Sequence, residues 1–256
     1  MVRRAAILLC LVLALAASQA RAACFDSDDA FMAWLEAYGP APDTGKLACA
    51  IQYLAGSNLF RDKAVRRPLA YFFSAALFRA TPATRERVIA ELSASPNQTA
   101  QVIFLNAIWY GDNSESRALL QRLSTTWTSP DLAGLMAGQI NTPPRALLAN
   151  QAPQYEDELQ QAALDLDCLW MRYLGGNDTV FVDRIVQTGL FSVHADNDGS
   201  ALLGFAARWS LRNNLRIPRV RAMLEDRLQK AQGDEWTLLD NVLHGKKGED
   251  TPPAKK

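Results

Sequence analysis

The chain has 256 residues, 27 basic and 27 acidic, and 49% of its residues are hydrophobic. Balanced charge excludes nucleic acid or an anionic membrane as the main partner, because both require a basic face. Hydrophobic content at this level supports a sizeable buried core and excludes a disordered polymer.

The first residues read as an export signal. Arg3 and Arg4 form a short basic region, Ala5 to Ala17 are unbrokenly apolar, and Ala20-Arg21-Ala22 is a small-residue exit. These three parts define a secretory signal peptide over residues 1–22, with cleavage expected before Ala23. The apolar run is shorter than the ~20 residues needed to span a bilayer. No later stretch comes close, so the mature chain is expected to have no membrane span and to work in a periplasm or secreted medium. Cys24 lacks the aliphatic residue that a lipidation site requires three places earlier, where Arg21 stands. Loss of Arg3, Arg4 and Arg21 leaves the mature chain slightly acidic.

Cys24, Cys49 and Cys168 remain after cleavage. An oxidising compartment permits a disulfide, and Cys24 and Cys49 are the pair closest in sequence. A bridge there ties down a terminus that otherwise frays. There is no C-x-x-C pair, which excludes the usual redox and zinc-ribbon patterns.

Periodicity then reads as helix almost throughout. Asp26 or Ser27 caps a first helix to about Tyr38, stopped by Gly39-Pro40, and a second runs from about Thr44 to Ala55. Four later segments are apolar nearly all round: Leu69–Phe78, Val102–Tyr110, Ala162–Leu174 and Ala201–Leu211. A short turn follows each, and then a helix with one apolar stripe. Those stripes are Val88-Ile89-Leu92, Leu119-Leu120-Leu123, Val182-Ile185-Val186 and Val220-Met223-Leu224-Leu228. A helix apolar all round must be covered on several sides, whereas a striped one can face water.

The pattern predicts an all-α fold, an array of stacked αα-hairpins resembling an α-solenoid, with inner helices apolar and outer helices amphipathic. Phe73 and Phe104, like Leu92 and Leu123, recur at the same offset between the first two units. The single helical domain is expected over residues 23–243, with a subdivision near 141–153. Residues 244–256 carry nothing to bury and are expected to be a disordered tail. The tetratricopeptide signature is absent.

Catalytic patterns are missing. His194 and His244 are the only histidines, no G-x-S-x-G occurs, and no cofactor motif or metal-ligand spacing is present. His194 to Gly199 looks like half a calcium loop, but Phe205 stands where a bidentate acid is needed; Asp198 and Ser200 read instead as helix caps. Trp109, Trp170 and Trp209 recur near the ends of inner segments, where they are expected to fill the core. Glu156, Glu158 and Asp165 are placed on a solvent-facing sector. Asp167 falls inside an apolar arc, Asn106 is the polar residue among apolar neighbours, and Arg208 adjoins Phe205 and Trp209. Asp167, Arg208 and Asn106 are therefore the candidate binding residues, expected to form one buried polar network. The function expected on these grounds is an exported helical module binding another exported protein or peptide. Two alternatives are a helical hydrolase acting on cell-wall or sugar substrates through Asp167 and a second carboxylate, and a carrier of an apolar small molecule.

Overall fold

The computed structural model describes residues 24–148, 156–194 and 197–245. The expected signal peptide and the tail beyond Gly245 lie outside them, as does part of the expected subdivision. Among the described residues the fold is all-helical, with twelve α-helices and no strand. They are α1 (Asp28–Tyr38), α2 (Leu47–Gly56), α3 (Lys63–Arg79), α4 (Pro82–Ser93), α5 (Gln98–Trp109), α6 (Ser114–Ser124), α7 (Pro130–Asn141), α8 (Glu156–Gly176), α9 (Val180–Gly189), α10 (Asp198–Asn214), α11 (Pro218–Lys230) and α12 (Gly233–His244). No helix among them is long and apolar enough to cross a membrane.

Local chemistry accounts for the helix starts. The Ser27 hydroxyl accepts from the Ala30 amide at 3.1 Å and caps α1, whose first turn holds Asp28 and Asp29 facing the positive end of the dipole. Thr81, Asn97 and Asn113 cap α4, α5 and α6 in the same way. Asn197 caps α10 through the Ser200 amide at 2.9 Å. That displaces the cap expected at Asp198 and Ser200: the asparagine lies just outside the helix in extended backbone, where its side chain can turn back. His244 belongs to α12, 2.9 Å from Asp240, rather than to the tail; one helical turn separates the two.

Cys24 and Cys49 form a disulfide, their Cα atoms 6.1 Å apart. Beside it Phe25, Phe31 and Tyr53 pack ring against ring at 5.3–5.5 Å, and Tyr53 donates to Asp28 at 2.8 Å. The bridge and this aromatic cluster together fasten α1 to α2.

The four apolar segments occupy α3, α5, α8 and α10, and their side chains make the core. Leu69, Phe72 and Phe73 on α3, Phe104 and Ile108 on α5, Leu169 and Trp170 on α8, and Ala207 and Leu211 on α10 are all buried. α3 packs against α5 on one flank and α8 on the other, and α10 packs on the far side of α8. The spatial order is therefore α5, α3, α8, α10, and residues 145–148, the returning segment after α7, bond to Asp165 on α8. The α3–α8 joint is close: a Cβ on Gly175 would stand 2.4 Å from the Phe72 carbonyl oxygen.

α3 begins six residues before the apolar segment that marks it in sequence. Asp62 caps it through the Ala64 amide, and Pro68 lies within its second turn. A proline so near a helix start removes a single backbone bond, the one to the Ala64 carbonyl, and the helix runs through it. α7 and α12 have no counterpart in the sequence pattern. Gly134 and Gly138 interrupt the stripe of α7, and α12 opens at Gly233 with φ +58°.

Candidate functional site

The first turns of α3 set Lys63, Arg66, Arg67 and Ala70 along one side. On the facing side α5 presents Gln98, Thr99, Val102, Ile103 and Asn106, and Tyr110 follows at its C-terminal cap. Between them, closed at one end by Phe60, is a cleft of about 470 Å³. No acidic side chain lines it. Arg66 is held in place by its Nε, which donates to the Phe60 carbonyl at 2.6 Å, and by the Phe60 ring 4.8 Å beneath its guanidinium. Lys63 is exposed and has no hydrogen bond or ion pair among the described residues. Asn106 Oδ1 accepts from Gln139 Nε2 at 2.9 Å, which fixes the amide at the cleft wall.

Behind the cleft lies a buried polar seam centred on Asp165, which has no solvent-exposed area. Its carboxylate accepts from Arg145 Nη2 at 2.6 Å and from the Leu148 amide at 2.8 Å, and it pairs with Arg67 Nη2 at 2.9 Å. Arg184 donates to the Leu147 and Leu148 carbonyls, so the returning segment is pinned from both sides. Leu148 there has φ +43°, strained for a branched apolar residue and held by those bonds. Tyr71 and Tyr110 stack with centroids 4.3 Å apart, and the Arg172 guanidinium stands 5.7 Å from Tyr71 and 4.6 Å from Phe181. Burial pushes the Tyr71 hydroxyl up to about 12 and raises that of Tyr110, against the pull of Arg67. Both phenols therefore stay protonated near neutral pH. Arg67 belongs to both features, with Asp165 on one side and the cleft on the other.

The three residues singled out by sequence do not meet. Asn106 lines the α3–α5 cleft. Arg208 is half-buried on α10, its guanidinium 4.8 Å over the Phe205 ring. Asp167 is exposed on α8. Partial desolvation against the fold still raises its carboxyl above the usual carboxylate range. The buried acid is Asp165, two residues earlier, on the sector expected to face solvent. Helical periodicity groups Asp165 correctly with Glu158 and Arg172, but what covers that sector is α3 and the returning segment, remote in sequence.

The tryptophans divide as well. Trp170 is buried and donates to Ser210 Oγ at 2.7 Å, and Trp109 is half-buried, donating to the Thr142 carbonyl at 2.7 Å. Trp209 is 56% exposed and fills no core, because it lies on the side of α10 that no described helix covers. His194 pairs with Asp234 at 3.1 Å on the surface. Among the described residues no three His, Cys, Asp or Glu side chains are grouped closely enough to hold a metal ion.

Sequence reasoning passed over Lys63, Arg66, Arg67 and Tyr110. A usable signal was present: three cations in the opening turns of a helix whose one N-terminal acid is the cap Asp62, where the dipole disfavours them. Comparison with protein-family models, with curated proteins and with solved structures finds no match to this chain.

Proposed function

We propose that this protein is an exported helical-repeat module that binds another exported protein or peptide, with the α3–α5 cleft as its binding site. The observation that carries the reading is the cleft itself. Its size falls within the ~300–1,000 Å³ of ligand pockets, and it combines an apolar wall with a few oriented polar groups. It lies between the inner helices of two successive hairpins, the groove that hairpin arrays use for their partners. Support for the array comes from the outer helices, where Arg85 pairs with Glu115 at 2.6 Å and Arg122 with Glu86 at 2.7 Å, joining α4 to α6. The signal pattern of residues 1–22 and the Cys24–Cys49 bridge support export.

Site-specific photocrosslinking in the exporting cell tests this reading. A photoreactive residue at Thr99, on the cleft wall, should give a discrete adduct with an exported protein or peptide. The same residue at the exposed Gln187 on α9 should not. The crosslinked chain should begin at Ala23. Absence of an adduct from Thr99, or the same adduct from both positions, would remove the cleft as the binding site. A chain that retains Arg3 and Arg4 would remove export.

A further inference from the structure

We infer that the α3–α5 cleft selects an acidic peptide segment, whose carboxylates are held by Lys63 and Arg66 above a floor of Arg67, Asn106 and Tyr110; this rests on the cleft being the binding site proposed above. The opening turns of α3 break a local rule. Lys63, Arg66 and Arg67 crowd the positive end of the helix dipole, where the one acid is the cap Asp62, its carboxylate turned to the Ala64 amide. Arg67 is compensated by Asp165. Arg66 has only backbone carbonyls of residues 60 and 61 and the Phe60 ring, and Lys63 has nothing among the described residues. Three cations against one capping acid and Asp165 is a departure from local preference that the fold offsets only in part, and such departures mark functional surfaces.

The facing wall adds to the same field. α5 also begins without an acid, and its opening residues Gln98 and Thr99 line the cleft. Positive charge in a recess with apolar walls focuses its potential on whatever enters. Gln98 spends its amide nitrogen on Ser129 and Asp131, at 3.5 and 3.3 Å, but two other lining groups keep a donor. Asn106 has its oxygen engaged by Gln139, which leaves its amide nitrogen, and the protonated Tyr110 hydroxyl can donate.

Shape separates a peptide from other anions. At about 470 Å³ the cleft holds roughly fifteen waters' worth of volume, far more than one phosphate requires. Phe60, Ala70, Val102 and Ile103 give apolar side chains between the carboxylates somewhere to rest. A lipid surface needs cations on a protruding face, whereas Arg67 is recessed, with 16% of its side chain exposed.

The test uses the mature, disulfide-bonded protein and fluorescence anisotropy with two labelled heptapeptides, one alternating Asp with Val and the other Asn with Val. The acidic peptide should bind, weaken with added salt, and exceed the neutral one by at least about tenfold. Lys63→Glu should weaken that binding by about tenfold, while its melting temperature stays level or rises, since the exchange relieves the dipole. Equal binding of both peptides, or an unaffected Lys63→Glu, would overturn the acidic selectivity. So would a fall in melting temperature large enough to make Lys63 structural. Displacement of the peptide by inorganic phosphate or by phosphatidylglycerol vesicles would also overturn it, in favour of a small anion or a lipid headgroup. If neither heptapeptide binds, the inference fails, and the Thr99 crosslink decides separately whether the cleft reading fails with it.

Discussion

The cleft between α3 and α5, about 470 Å³, and the cleft shared by α9, α11 and α12, about 670 Å³, are similar openings filled by opposite electrostatics. In the second, Arg227 is gripped by Asp183 and by Glu235, the latter at 2.6 Å, and Lys230 pairs with Asp226 at 2.6 Å. Its charges satisfy one another, and anything entering must first break those pairs. In the first, Lys63 and Arg66 are in no ion pair among the described residues, the capping Asp62 being turned to the Ala64 amide, and Arg67 is paired with Asp165. Volume alone puts the second cleft first. What distinguishes them is which charges the fold has left uncompensated.

The sharpest way to break the first cleft is from behind. Asp165→Ala would leave Arg67 and the Leu148 amide without their acceptor inside the fold. The expected loss is about 3–5 kcal/mol, toward the lower end because Arg145 is half exposed and can turn to water. Urea denaturation monitored by circular dichroism measures it. A cost below ~1 kcal/mol would mean that the seam does not hold the floor of the cleft.

The next comparison sets one cleft against the other by the same kind of substitution. Arg227→Ala removes two partly exposed pairs and should cost about 1 kcal/mol. Lys63→Ala removes none, and its stability should remain within about 0.5 kcal/mol of the parent, leaning toward gain. Parallel thermal melts of the two variants decide the matter. Equal destabilisation would erase the difference between a satisfied and an unsatisfied cleft.

The smallest effect belongs to Asp167. A carboxyl whose folded pKa lies above its unfolded value loses stability as pH climbs through the carboxylate range, because the folded state disfavours the charge. Asp167→Asn should therefore be slightly more stable than the parent at pH 7, by less than about 0.5 kcal/mol since the side chain is exposed. The difference should shrink as pH falls and the parent carboxyl protonates. Denaturant midpoints across that range test the sign, and a clear loss on substitution would reveal a partner for the carboxylate.

Much of this fold was legible from pattern because it depends on neighbours a few residues apart. Helices, turns, the cap at Ser27 and the split into all-round apolar and striped segments follow from 3.6-residue periodicity and turn chemistry, and the structure has them at those places. The Cys24–Cys49 pairing was also within reach, because the two cysteines bracket one short stretch of helix. Asn106 stood out in the sequence as a member of a polar network, and in the structure it lies on a cleft wall, bonded to Gln139.

Tertiary structure alone decided which polar residues of α8 are buried. A helical wheel reports which side chains share a face, and Asp165 with Arg172 was a fair solvent face until α3 and residues 145–148 closed over it. The spatial order α5, α3, α8, α10 was beyond sequence for the same reason: nothing within a hairpin records which hairpin it will lie against. That order makes α3 central and builds the α3–α5 cleft and the seam behind it on its opposite flanks, with Arg67 joining the two. The sequence determined a helical chain with its apolar stripes and one covalent tie. Only long-range packing determined where a charge would be buried with partners and where it would be left facing an open cleft, because both outcomes depend on residues that meet across a hundred positions of chain.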